Sequence, residues 1–79
     1  FLASIKVIAY DRVNLLGEIA TIIGEMNVSI RAANATAAGK ARLCTPRLTL
    51  DVRSKEQMEK VIQALRRKAD IMDVYRVTG

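Results

Sequence analysis

The sequence predicts an α+β sandwich: one four-stranded antiparallel sheet covered on a single face by two helices. Three observations carry this. Two stretches space their apolar residues at i, i+3, i+4, i+7, the period of an amphipathic helix. Four others alternate or are rich in β-branched residues. The order along the chain is strand, helix, strand, strand, helix, strand, and each helix has one apolar face, so both must cover the same side of one sheet.

The first strand is expected over residues 4–10, "SIKVIAY", with Ile5, Val7 and Ala9 on one face and Lys6, Ile8 and Tyr10 on the other. The first helix follows from Leu15 to Met26, with apolar residues at 15, 16, 19, 20, 22, 23 and 26. Gly17 and Gly24 each cost about 1 kcal/mol there against Ala. Gly24, near the end, is read as fraying or as a close helix contact, and Asn27 as the left-handed stop. A second strand over 28–38 sets Val28, Ile30 and Ala32 against Ser29, Arg31 and Ala33, then weakens into small residues. "AGKA", residues 38–41, supplies a hairpin turn. The third strand points Leu48, Leu50 and Val52 inward and Arg47, Thr49, Asp51 and Arg53 outward. Pro46 has no N–H for a ladder, so that strand is irregular there or extends beyond its partner.

Ser54 to Gln57 read as a capping box: the Ser54 hydroxyl takes the Gln57 amide and the Gln57 side chain reaches back. The helix it opens carries Met58, Val61, Ile62 and Leu65 on one face. Its last turn holds Arg66, Arg67 and Lys68, cations that complement the negative end of the helix dipole. A last strand is expected over about 71–77. This βαββαβ order is the ferredoxin-like, split βαβ arrangement, and right-handed crossovers give it strand order 4-1-3-2. The open sheet face is expected to carry Lys6, Ile8, Ser29, Arg31, Ala33, Thr45, Arg47 and Thr49. A half-apolar face with two free edges suits self-association.

Composition narrows the function. Seventy-nine residues make one small domain with a thin core, for which oligomerisation is a common remedy. The single cysteine and the lack of histidine exclude an intramolecular disulfide, a Cys/His zinc site and histidine acid–base catalysis. No Gly-rich phosphate loop and no catalytic constellation is found, so no catalytic residue, metal or cofactor is assigned. Cys44 lies on the inward parity of its strand and reads as a buried thiol, consistent with a reducing, cytoplasmic setting. No apolar run approaches the roughly 20 residues of a membrane span. The first residue is Phe1 rather than Met, so the chain is expected to be a piece of something longer.

A net charge of +5 brings nucleic acid into consideration, with Arg66, Arg67 and Lys68 as the candidate contact. Sheet-face base stacking of the kind RNA-binding ferredoxin-like domains use is not expected, because Phe1, Tyr10 and Tyr75 are the only aromatics.

"DRVNLLGEIATII" followed by "MNVSI" resembles the ACT-domain pattern: strand, Asp-Arg-x-Gly-Leu-Leu, helix, Asn-Val, strand. Farther on, "LTLDVRSKEQMEKVIQALRRKADIMDVYRVTG" is similar to the C-terminal end of RelA/SpoT-type enzymes, including the "VYRVTG" tail. The resemblance covers nearly the whole chain. It implies a non-catalytic regulatory domain, homodimeric and cytoplasmic, attached to upstream domains that make or hydrolyse guanosine polyphosphates. Such a domain passes nutritional or ribosomal signals to those domains in the stringent response. The parent would be a GTP diphosphokinase, with hydrolase activity as a second possibility. The resemblance also implies an amino-acid site at the joint after the first strand, here Asp11, Arg12, Val13, Asn14 and Leu15. Two alternatives stay open: an amino-acid sensor of another metabolic enzyme, and a module that contacts RNA or the ribosome.

One departure stands in that motif. Asn14 occupies the position of the usual Gly, and Val13 that of the Pro often found before it. Asn is among the best N-caps, so Asn14 is read as a cap ahead of a ligand contact. Asp11 is read as meeting the positive end of the helix dipole, and Arg12 as solvated.

Overall fold

The computed structural model of the chain describes residues 1–35, 37–38 and 42–77. Strand β1 (Leu2–Tyr10) is the centre of the sheet. Its inward residues Ile5, Val7 and Ala9 are fully buried, as the alternation predicts. Helix α1 (Leu15–Glu25) lays Leu15, Ile19 and Ile23 on that face, and α2 (Lys55–Arg66) adds Met58, Val61, Ile62 and Leu65. These join Leu48, Leu50, Val52 and Val74 in one core between helices and sheet. A fully buried Ile or Leu of this kind contributes roughly 1.5–3 kcal/mol over its exposed state, so a thin aliphatic core suffices.

The remaining strands are β2 (Ser29–Asn34), β3 (Ala37–Ala38), β4 (Leu43–Cys44), β5 (Arg47–Asp51) and β6 (Ile71–Val77). The fold class is the α+β, ferredoxin-like one expected. The strand count and order differ from four strands in the order 4-1-3-2: the ladder runs β2-β5-β1-β4-β3, with β6 also on β1. The registers explain the difference. Lys6 faces Arg47 and Ala9 faces Cys44, so β5 and β4 lie end to end along β1, interrupted at Thr45 and Pro46. Pro46 has no amide hydrogen to give, yet its carbonyl still accepts from Val7 at 2.9 Å. Likewise β3 continues along β4 the line that β2 follows along β5. The turn expected at 38–41 falls, beyond Ala38, outside the described residues.

A bulge between Ile30 and Ala32 corrects the expected open face. One extra residue reverses the parity that follows it. Ala33 therefore stands opposite the buried Leu48, on the helix side, while Ala32 and Asn34 face Thr49 and Arg47 on the open side. Arg31 donates to Asp51 at 3.2 Å, and this hydrogen bond is the main reason the Asp51 carboxyl lies below its usual range.

Local hydrogen bonds set the end of α1 and the start of α2. Helix α1 stops in a Schellman arrangement: Asn27 is left-handed (φ 60°), its N–H reaches Gly24 O at 3.0 Å, and Val28 N–H reaches Ile23 O at 3.3 Å. Gly24 has open space around it, so the close helix contact is not there. Helix α2 opens with the expected box, and Gln57 N–H donates to Ser54 Oγ at 3.1 Å. The return bond lands one residue early, from Arg53 N–H to Gln57 Oε1 at 2.7 Å.

Candidate functional site

The joint between β1 and α1 is where the sequence motif and the geometry coincide. Strand β1 ends at Tyr10, whose N–H donates to Asp70 O at 3.1 Å, and Asp11 N–H donates to Arg42 O at 2.8 Å. The chain then turns, with Leu15 N–H on Arg12 O at 3.3 Å, and enters α1. Asn14 is left-handed (φ 66°, ψ 15°) and its side chain makes no capping hydrogen bond. The capping expectation is therefore corrected. This position needs a positive φ, which costs most L-residues roughly 1–2 kcal/mol but which Asn tolerates. Asn stands where Gly is usual because of its backbone, not its cap.

Gly17 completes that arrangement. A Cβ there would collide with Asn14 Oδ1 and sit 3.2 Å from Asn14 Cγ, so a glycine one turn on leaves the Asn14 side chain its place. Any side chain at position 17 makes the Asn14 side chain shift.

Around the joint lies a cleft of about 310 Å³, lined by Asp11, Arg12, Asn14, Leu15, Leu16, Gly17, Ala35 and Cys44. Four of the five residues expected in a ligand site, Asp11, Arg12, Asn14 and Leu15, come together here. Val13 does not: it is 90% exposed and forms no part of the lining. Leu15 is a core residue whose edge closes the cleft. The sequence reading missed Leu16 and Gly17, in the first turn of α1, Ala35, just past β2, and Cys44, which strand pairing carries in opposite Ala9. Cys44 is the buried thiol expected, and desolvation first, then the Asp11 charge, pushes its pKa up. That opposes thiolate chemistry.

Arg12 is not merely solvated. Its Nε donates to Asp70 Oδ2 at 2.6 Å, and its Nη1 donates to Glu18 Oε2 and to Val13 O at 3.2 Å. Lys68 Nζ donates to Glu18 Oε1 at 2.7 Å and lies 3.7 Å from Asp70 Oδ2. Arg12, Glu18, Lys68 and Asp70 thus form a closed ring of alternating charge that fastens the joint to the α2–β6 turn. Hydrogen bonds from Arg12, then Lys68, hold the Glu18 carboxyl down at about 2, and the same bond raises Arg12 further above its ordinary value. Glu18, Lys68 and Asp70 were not among the expected site residues. Glu18 and Lys68 are 50 positions apart, and only the fold joins them. Asp11 has no such partner among the described residues, so it is the carboxylate left for the cleft.

A family model described as the ACT domain matches residues 1–76. This chain belongs to the ACT domain family. Over all 79 residues it is 32% identical to the bifunctional (p)ppGpp synthase/hydrolase RelA of Mycobacterium tuberculosis. The same identity holds to a probable GTP pyrophosphokinase of Mycobacterium bovis. The chain spans 11% and 10% of the lengths of those two relatives. The crystal structure of the ACT domain from GTP pyrophosphokinase of Chlorobium tepidum superposes with a TM-score of 0.82 at 23% identity, over 98% of this chain and 97% of that one. The acetolactate synthase small subunit of Thermotoga maritima gives 0.86 at 8% identity, over 99% of this chain and 48% of that one. At these identities the two structures speak for the fold alone.

The ACT domain's other candidate contact, Arg66, Arg67 and Lys68, is not presented as one patch. Arg66 Nη2 donates to Val74 O at 2.7 Å and lies 3.7 Å from Asp73, and Lys68 is held in the ring at the joint. Arg67 alone of the three has no partner among the described residues. Among those residues no group of three or more Cys, Asp or Glu side chains is placed to hold a metal ion. No described helix is long and apolar enough to cross a membrane.

Proposed function

We propose that this ACT domain is the regulatory, non-catalytic module of a RelA-like GTP pyrophosphokinase, dimerising and passing nutritional signals to catalytic domains elsewhere in a longer cytoplasmic chain. The observation that carries this reading is the end-to-end similarity of the whole chain to the C-terminal region of RelA. The open sheet face supports self-association: Ile8 is half-buried, Ala32 lies on the same face opposite Thr49, and Tyr75, opposite Lys6, is 37% exposed. The test compares the full-length parent with a parent truncated before Phe1. Pyrophosphate transfer from ATP to GTP or GDP is measured with and without amino-acid starvation signals. Basal transfer persists and the response is lost. Loss of basal transfer, or an unchanged response, overturns the reading. Sedimentation of the 79-residue chain tests dimerisation separately, and a strict monomer at high concentration removes that part.

The cleft at Asp11, Arg12, Asn14 and Leu15 favours a second reading, in which the domain binds a small amino acid there, in this enzyme or in another metabolic one. Asp11 is the group free to receive an ammonium, since Arg12 is occupied within the protein. Amino acids titrated into the labelled chain shift the amides of residues 11–17 on this reading. If none of those amides moves, the sensor reading fails for this chain.

A further inference from the structure

Among the described residues, depressions larger than the cleft at the joint lie on the outer side of the helix layer. Three of them, of about 450, 400 and 360 Å³, follow one another along the seam between α1 and α2. The first two share Ala64 and Arg67, and the second and third share Met26 and Lys60, so they form one continuous trough. Its apolar floor is Ile22, Met26 and Ala64, with Thr21, Ser54, Gln57 and Gln63 as polar lining. Ile22, Met26 and Ala64 are only half-buried, and Ile22 and Met26 pack down against the core.

The α2 rim of the trough repeats every seven residues: Arg53, Lys60, Arg67. Lys60 and Arg67 are two helical turns apart, about 10 Å, and Arg53, ahead of the extended Ser54, lines the far section beside Lys60. None of the three side chains has an ion-pair or hydrogen-bond partner among the described residues. The neighbouring cations Arg66 and Lys68 both have one. Three acids also reach the trough. Glu18 is consumed by Arg12 and Lys68, Glu56 sits in the first turn of α2 where the helix dipole offsets its charge, and Glu59 lines only the middle section. The rim is left with an excess of unpaired positive charge over an apolar floor.

We propose that this trough docks an acidic amphipathic helix of a partner protein, its apolar stripe on Ile22, Met26 and Ala64 and its carboxylates, spaced by seven residues, on Arg53, Lys60 and Arg67. A helix laid in a groove is read through residues at i, i+3, i+4 and i+7, and Lys60 and Arg67 stand at i and i+7 of the rim. Charge selects the partner: a basic helix would meet the same three cations directly.

The test uses the isotope-labelled 79-residue chain and two synthetic peptides of about 18 residues, roughly 27 Å long as helices. Both carry leucines at helical spacing; one is flanked by Glu and the other by Lys. The Glu peptide shifts the amides of Thr21, Ile22, Met26, Ala64 and Arg67, and the Lys peptide does not. The triple variant R53E/K60E/R67E, confirmed folded by circular dichroism, weakens the Glu peptide by about ten-fold or more and admits the Lys peptide. If the triple variant does not fold, R67E alone with a salt series carries the same comparison, the Glu peptide weakening steeply between about 50 and 500 mM salt. Equal binding of the two peptides, no movement of trough amides, or a single-stranded RNA occupying the trough more tightly than the Glu peptide overturns the proposal.

Discussion

The two helices of this ACT domain begin in opposite ways. Helix α2 is closed by neutral side chains next to it in sequence: Ser54, extended at φ −159°, accepts from Gln57 N–H, and Gln57 accepts from Arg53 N–H. Helix α1 begins on a left-handed Asn14 whose side chain caps nothing. It is fastened instead by charges from far along the chain, Asp70 on Arg12 and Lys68 on Glu18. A start satisfied by its own side chains is purely structural. A start that ties the helix only through Arg12 and Glu18, both held in turn from far along the chain, leaves Asp11 and Asn14 facing a cleft, and makes the joint depend on tertiary structure.

The sharpest break of that contrast is at residue 14. Asn14→Val puts a β-branched residue at φ 66° and is expected to cost roughly 1–2 kcal/mol or somewhat more, while Asn14→Gly is close to neutral. Urea unfolding measures both. If Gly costs as much as Val, the Asn14 side chain contributes after all and the conformational account is wrong. At the other start, Ser54→Ala removes a cap and is expected to cost about 1 kcal/mol, and Ser54→Gly only a few tenths. An Ala variant as stable as the parent would show that the box adds nothing beyond helix propensity.

Gly17 sharpens the comparison further. Gly17→Ala alone gains about 1 kcal/mol of propensity. The new methyl must displace Asn14 Oδ1, so the gain is expected to be cancelled or reversed. In an Asn14→Gly background the obstacle is gone and the propensity gain returns. The cycle should therefore show a coupling of about 1 kcal/mol between positions 14 and 17. Additivity within error would mean that Asn14 swings aside at no cost.

Local periodicity made most of the fold legible. The β6 range, the Ser54 box and the Asn27 stop follow from side chains within a few residues of one another. The Arg31 bulge did not show, because an extra residue leaves no mark in a strand of alternating small residues, and it moved Ala33 to the other face. At the site, Asp11, Arg12, Asn14 and Leu15 of the motif line one cleft, neighbours in the chain that the turn keeps together. The role of Asn14 was misread because cap preference and left-handed tolerance favour the same residue, and only the dihedral separates them. The charge ring was invisible because Arg12 and Asp70 are 58 positions apart.

The smallest effect at neutral pH, and the one that isolates the electrostatic fastening, is acid sensitivity. The Glu18 carboxyl is held at about 2, below its ordinary 4.5, chiefly by Arg12 and then Lys68. The folded state therefore binds fewer protons than the unfolded state between those values. Glu18 contributes stability that is complete above about 4.5 and is lost as the pH falls through about 2. The Asp51 carboxyl, lowered by Arg31, adds a loss of the same sign in acid. Stability measured by urea between pH 6 and pH 2 should fall less steeply in Glu18→Gln than in the parent, with Asp51→Asn as the control that removes the other contribution. The Ser54 box uses no group that titrates in this window. Amide exchange at the start of α1 should therefore accelerate before exchange at the start of α2 as the solution is acidified. Simultaneous loss of protection at both starts would mean that the ring does not hold the joint, and that α1, like α2, is secured by packing and local bonds alone.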